Sequence, residues 1–337
     1  MNLETGLLLT TFAASAAIGL SLYAALAVPG ALAYFGLIVL PAGLSGVARP
    51  LVWLTAALLL GVEVAACRFR VSDLAWNVLH TAVRPLGGTL FAAAALAEMP
   101  PRLQWWGAAA GALVALLVHV SVLAVRAARR TAGPTPATRG FTGIQIGVAA
   151  VLATLAWTAP PFAASTAALL VLAPLPWSPR LWGAAWMAIS AVGQAVVRPD
   201  RMHRWVNGVG PVSRRTQRLL TAELGDAMDT ARSTPATLAR LGRRWPYLRG
   251  RLVVASRRPP LFAHARGFRS RVIRLEPGPG SVDHGVLLET VEVAARTPYT
   301  LCLGPDAPPG PAILAAIEVA RDSAVELDRA PGVKKSS

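Results

Sequence analysis

Lysine is almost missing from this chain. Its two lysines, Lys334 and Lys335, stand in the last residues, and every other basic side chain apart from histidine is an arginine. A G-x-x-x-x-G-K-[ST] phosphate loop, a Schiff-base lysine and a Ser-x-x-Lys pair therefore have no residue in the folded part to be built from. Cysteine is nearly as scarce. Cys67 and Cys302 lie far apart and make neither a disulfide framework nor a Cys-rich zinc site, so no metal or cofactor is expected. Acid is thin as well, with only Glu4, Glu63, Asp73 and Glu98 before residue 198. No Ser or Cys stands at a fitting offset from His80 and Asp73, since Ser72 and Thr81 are merely their neighbours. No catalytic residue and no enzyme activity is assigned.

What is abundant is hydrocarbon. Of 337 residues 54% are hydrophobic and 15% charged, with a mean hydropathy of +0.49. Runs 7–28 and 108–125 carry no Asp, Glu, Lys or Arg over about the length that crosses a bilayer core. The chain reads as an integral membrane protein. Its first apolar run has no positive segment before it and carries Glu4, so it reads as a retained span and not a secretory signal. Six spans are expected, near 5–28, 50–67, 84–98, 104–126, 142–160 and 181–197. Segments 30–47 and 161–176, interrupted by Pro41 and Gly43 and by Pro161, Pro174 and Pro176, read as short re-entrant or interfacial pieces.

Composition shifts at Arg198: ten basic and four acidic residues precede it, and 23 and 13 follow from it onward. The expectation is a helical membrane domain over 1–197, a basic α+β domain over 198–330 and a disordered tail over 331–337. Arginines cluster after the second, fourth and sixth spans, on one side of the membrane. By the positive-inside rule that side is cytoplasmic, which places the C-terminal domain in the cytoplasm.

The stretch from Asp73 to Gly88, D-L-A-W-N-V-L-H-T-A-V-R-P-L-G-G, interrupts the hydrocarbon. If it is helical, Asp73, Asn77, His80 and Arg84 recur at spacings of 4, 3 and 4 and share one face. Pro85 is expected to end that helix and begin another. Glu63 falls near the end of the second span and His119 inside the fourth. A charge at a helix centre costs about 2.5–3.5 kcal/mol, so partners are expected: Glu63 with Arg68 or Arg84, Asp73 with His80 or Arg84. The set can serve a proton- or anion-handling site, with His80 titrating and Arg84 holding an anionic group. It can also tie a short interfacial helix to the bundle, with Arg84 snorkelling to headgroups. His119 alone reads as a satisfied interhelical hydrogen bond. Gly107 and Gly111, four apart, allow backbone-to-backbone helix contact inside the bundle or across a seam with a homodimer mate or partner protein.

Glu63, Asp73, Trp76, His80, Thr81, Arg84, Pro85, Gly87 and Gly88 stand as E-x9-D-x2-W-x3-H-T-x2-R-P-x-G-G. That pattern resembles the bacterial inner-membrane family catalogued as domain of unknown function 4126, over roughly 1–180. The resemblance implies pseudo-repeated, transporter-like halves and no particular substrate. It also implies acidic residues near Ile146 and Gly147, where this chain has none, and an Asp in place of Asn77.

From Arg198 to Arg274 eighteen arginines face four acids. Arg198, Arg201, Arg204, Arg214, Arg215 and Arg218 are expected to dock on lipid headgroups; nucleic acid is not an expected partner, because the module is already at the membrane. A helix is expected over 213–231, strands over 251–256, 261–266, 271–275, 285–293 and 299–303, and a helix over 311–327. This order weakly resembles the pleckstrin-homology-like and GRAM modules, in which a helix caps an open barrel. His264 and His284 read as ordinary surface or turn histidines. The leading functional expectation is a membrane protein that binds or moves a small solute or lipid headgroup at the Glu63/Asp73/His80/Arg84 region. Its rival is a membrane-anchored scaffold whose cytoplasmic domain binds headgroups or partner proteins.

Overall fold

The computed structural model describes residues 3–67, 70–131, 137–197, 205–242, 246–256, 258–266, 269–283, 289–304 and 307–329. It forms two compact units, Met1–Ala185 and Trp186–Ser337. The first is all-helical: α1 Leu3–Leu20, α2 Leu22–Tyr34, α3 Pro50–Ala66, α4 Arg70–Ala95, α5 Pro101–Thr131, α6 Ala137–Thr158 and α7 Pro160–Leu172, with α8 Ser178–Val197 running across the division. A 3-10 segment, Ala42–Ala48, precedes α3.

At the centre lies α1, which touches α2, α4, α5, α6 and α7. Ala13, Ala14, Ala16, Ala17 and Ile18 are all buried, so α1 is enclosed over its second half and small residues let its neighbours close in. The outside of the unit is apolar. On α4, Leu79, Leu86 and Leu90 are exposed while Asn77, His80 and Arg84 are buried; on α3, Leu51, Leu54, Leu58 and Val62 are exposed while Glu63 is buried. Polar residues inside and leucines outside suit a hydrocarbon surround and not water. Residues Pro101–Arg126 and Phe141–Thr158 are long and apolar enough to cross a membrane. Ala42–Ala48 with Pro50–Ala66 makes a third if that pair, bent by 62°, is one span.

Two sequence expectations are corrected here. The run 5–28 is not one helix: it breaks at Ser21 (φ −153°, ψ 108°), whose side chain caps α2. Pro85 does not divide α4, which runs unbroken from Arg70 to Ala95 with the proline inside it. Proline is tolerated in membrane helices because neighbouring groups satisfy the backbone it frees. Segment 161–176, expected as a short piece, contains a 13-residue helix from Pro160 to Leu172, with prolines in the first turn, where their missing N–H groups cost nothing. The Gly107 and Gly111 face is taken up inside the bundle: a Cβ on Gly111 would stand 2.7 Å from Gly88 O, and one on Gly88 would stand 2.6 Å from Gly111 O.

The second unit contains β1 Val206–Asn207, α9 Arg214–Leu224, β2 Arg232–Leu241, β3 Leu248–Val254, β4 Leu261–Arg266, β5 Arg269–Arg274, β6 Gly280–Asp283, β7 Glu289–Val293, β8 Tyr299–Leu303 and α10 Gly310–Arg329. The antiparallel sheet has the order β5-β4-β3-β2-β8-β7-β6, with β1 on β2. Strand β2 serves two ladders, Arg232–Leu238 against β3 and Thr237–Leu241 against β8, with a bulge between Leu238 and Arg240. Pro235 falls after β1 leaves off and before β8 begins, where a strand tolerates proline. Ile313 and Ile317 of α10 complete a core of Leu238, Leu252, Phe262, Val291 and Leu301. The helix expected over 213–231 stops sooner, at Leu224, because Gly225 turns the chain at φ +52°.

Candidate functional site

In an unbroken helix the carbonyls of Gly19 and Leu20 would take the amides of Tyr23 and Ala24. The break at Ser21 withdraws them, and Ala24 N–H turns to Ser21 Oγ instead. Side chains fill the vacancy. Arg84 Nη1 donates to Gly19 O at 2.8 Å, and Gln145 Nε2 donates to Leu20 O. On the far side of the break, Ser21 Oγ donates to Glu63 Oε2 at 2.8 Å. A cation therefore stands at the carbonyl end of α1 and a carboxylate at the amide end of α2, the signs that the two half-helix dipoles favour.

Those two charges also meet each other. Arg84 Nη2 lies 2.7 Å from Glu63 Oε1, with the arginine 0% and the glutamate 2% exposed. Arg84 is thus fully enclosed and does not snorkel. Among the described residues its Nε has no hydrogen-bond partner.

The guanidinium sets the state of His119. Arg84 Nη1 donates to His119 Nδ1 at 2.9 Å. Guanidinium nitrogens only donate, so Nδ1 must present its lone pair. The ring proton is then on Nε2, which donates to Asn77 O at 2.9 Å, with Thr81 Oγ1 alongside at 3.2 Å. His119 is neutral for as long as this contact holds. His80 is arranged the other way round: Nδ1–H donates to Trp76 O at 2.7 Å, and Nε2 lies 3.0 Å from the Tyr23 hydroxyl. The rings of Trp76 and Tyr23 pack on it at centroid distances of 4.6 and 5.5 Å.

A second buried arginine stands beside this cluster. Arg126 Nη2 donates to Gln145 Oε1 at 2.6 Å and Nη1 to Cys67 Sγ at 3.3 Å, with the guanidinium carbon 5.9 Å from the Phe141 ring centre. Gln145 is adjacent to Ile146, where the family resemblance implied an acid. Here a neutral amide takes the acceptor role and joins Arg126 to the break in the central helix.

Five of the expected site residues, Glu63, Asn77, His80, Arg84 and His119, are therefore brought together and buried. The side chain of Asp73 lies outside the described residues, as do Arg68, Arg198, Arg201, Arg204 and His284. Arg214, Arg215 and Arg218 are exposed along α9. Sequence reasoning missed Ser21, Tyr23, Gln145 and the carbonyls of Gly19 and Leu20. One signal for Ser21 was available: a serine within an apolar run, two residues after a glycine, is an N-cap candidate. Among the described residues no group of three His, Cys, Asp or Glu could hold a metal ion.

These features define the class: a helical protein of membrane type, built around a discontinuous central helix whose ends meet a buried ion pair. The family model described as Domain of unknown function (DUF4126) matches residues 8–179, just over half of the chain, and the chain belongs to that family. No curated protein and no solved structure matches it.

Proposed function

We propose that the chain is a transporter-like protein of the bacterial inner membrane that binds or moves a small solute or a lipid headgroup at the Ser21 break. The observation that carries this reading is the break itself. Half-helix ends at membrane depth, met by charges of matching sign, are how secondary transporters build their binding sites. The described state is the occluded one, with Glu63 and Arg84 closing on each other. Six crossings are counted by letting α1 with α2 make one broken span and adding α3, α4, α5, α6 and α8. The C-terminal unit lies in the cytoplasm and docks its α9 arginines on anionic headgroups, each contributing about 1 kcal/mol. Its C-terminal helix, laid against the strands of the sheet, is what supports a pleckstrin-homology-like reading.

A second reading has its own support. The cluster is closed, with Arg84, Glu63 and His119 all 2% exposed or less, and a closed pair suits a bundle that only anchors the C-terminal unit as a scaffold. Thiol accessibility separates the two without knowledge of the solute. In a Cys67→Ala/Cys302→Ala background, Thr81→Cys, beside His119, is treated in membranes with a water-soluble methanethiosulfonate. A transporter exposes this position from at least one side, so labelling proceeds. Complete protection from both sides at every pH tested leaves the scaffold.

A further inference from the structure

The guanidinium of Arg84 is only half used on the edge that faces Glu63. Nε–H and the nearer Nη2–H of an arginine point the same way and together take a two-oxygen anion side-on. Here Glu63 gives one oxygen to Nη2 and the other to Ser21 Oγ, and Nε is left without a partner in a side chain that is 0% exposed. A buried N–H in that condition costs about 1–3 kcal/mol. The fork would be filled by a free carboxylate or phosphate group and is left half-empty by the tethered one.

The helix carrying Glu63 packs on α2 and leaves most of its own surface outside the bundle. On α3 only Ala56 and Glu63 are buried, and Gly61, two residues before Glu63, has open space where a side chain would be. The opposite side of the fork is fixed: Nη1 is tied to Gly19 O and His119 Nδ1, on the central helix and on α5. Withdrawal of α3 thus frees Nη2 beside the unpartnered Nε while the guanidinium stays where it is.

We infer that Arg84 is the binding group for a small oxyanion, a carboxylate or a phosphate, and that Glu63 is its internal stand-in, leaving the fork with a proton as the oxyanion arrives. This inference rests on the transporter-like reading and names the ligand class for it. Charge sets the stoichiometry. Glu63 and Arg84 together are neutral. An incoming monoanion (a carboxylate or a singly charged phosphate) on Arg84 keeps the site neutral only if Glu63 takes up a proton, one for each monoanion bound. The groups around the Glu63–Arg84 pair that bear on this exchange are His80 from α4, His119 and Arg126 from α5, Tyr23 from α2 and Cys67 at the end of α3.

The test uses the full chain in dodecyl maltoside, which carries neither carboxylate nor phosphate. Glu63→Gln keeps the shape of the stand-in and removes its charge. Acetate and inorganic phosphate are expected to raise the Tm of E63Q by about 2–4 °C, with chloride at equal ionic strength much weaker. Adding Arg84→Lys, which keeps the charge and loses the fork, should erase the preference. Equal stabilisation by chloride overturns the inference. If E63Q does not fold, wild-type protein replaces it: the oxyanion effect must appear on acidification and vanish in R84K, and an effect independent of pH overturns the proton exchange. Short-chain phosphatidic acid run beside inorganic phosphate separates a headgroup from a free solute. Silence of all three anions together with labelling of Thr81→Cys sinks the oxyanion and spares the aqueous site. Silence together with protection of Thr81→Cys sinks both.

Discussion

The two units solve burial in opposite ways. In the first, charged and polar groups (Glu63, Asn77, His80, Arg84, His119, Gln145) are inside while leucines such as Leu58, Leu86 and Leu90 are exposed; in the second, Leu238, Leu252, Phe262 and Ile317 are inside and arginines such as Arg214 and Arg218 are exposed. The solvent accounts for the difference. Hydrocarbon gives no hydrophobic drive between apolar helices, so the first unit must hold its centre with close-packed alanine and with hydrogen bonds. Water supplies that drive to the second unit, which needs no buried charge. The comparison has a consequence for function: among the described residues only the first unit has a charged interior, so there moving one side chain releases a charge.

The largest expected effect tests this directly. Arg84→Met leaves Glu63 buried without its cation and should cost about 3–5 kcal/mol, read as loss of folded protein in detergent melts. Glu63→Gln/Arg84→Met should recover most of that, because the polar pair is then gone as a pair. In the second unit a change of similar size, about 3–5 kcal/mol, is expected from an apolar residue, Phe262→Ala. A first unit indifferent to Arg84→Met, or no recovery in the double variant, breaks the contrast. Gly111→Val comes next, at about 1–3 kcal/mol, because its side chain would meet Gly88 O and the Ala92 methyl.

The parts legible in the sequence are those governed by helix periodicity and by the cost of unpaired charge. Spacings of three and four placed Asn77, His80 and Arg84 on one face, and the need of Glu63 for a cation left Arg84 or Arg68 as candidates. The break at Ser21 was hidden because hydropathy sums over a run and one serine barely alters the sum. Pro85 misled for a related reason: rules for proline in water assume a freed carbonyl with no helix neighbours to help it. In the second unit β2 went unseen because Ala236, Leu238 and Ala239 are buried without the alternation of a half-exposed strand, and its alanine, leucine and arginine favour helix.

Surface arginines of the second unit should matter little to its stability. Arg214→Glu/Arg218→Glu is expected to stay within about 0.5 kcal/mol of wild type. Its effect should appear in lipid contact, at about 1 kcal/mol for each charge removed and more for each reversed. Hydrogen exchange over 214–224 in nanodiscs reads this: protection rises with anionic lipid in wild type and does not in the variant. Equal protection in neutral lipid assigns α9 to some other partner.

The smallest effect concerns the two thiols, one in each unit. Burial, with a further push from the Glu292 carboxylate, drives the Cys302 thiol up from its ordinary 9.0 to about 12. A thiol must ionise to react, so Cys302 should resist maleimide at mildly alkaline pH until the fold is opened with a denaturant. Cys67, half-buried at the end of α3, should label first. Because the folded state raises the Cys302 value, its stabilising contribution is complete below pH 9 and is lost as pH climbs toward 12. Cys302→Ala should therefore flatten the alkaline fall in stability slightly and leave the neutral range unmoved by titration. Rapid labelling of Cys302 in the folded chain would mean that the second unit opens at β8, and its apolar core would then not be the closed counterpart to the charged interior of the first.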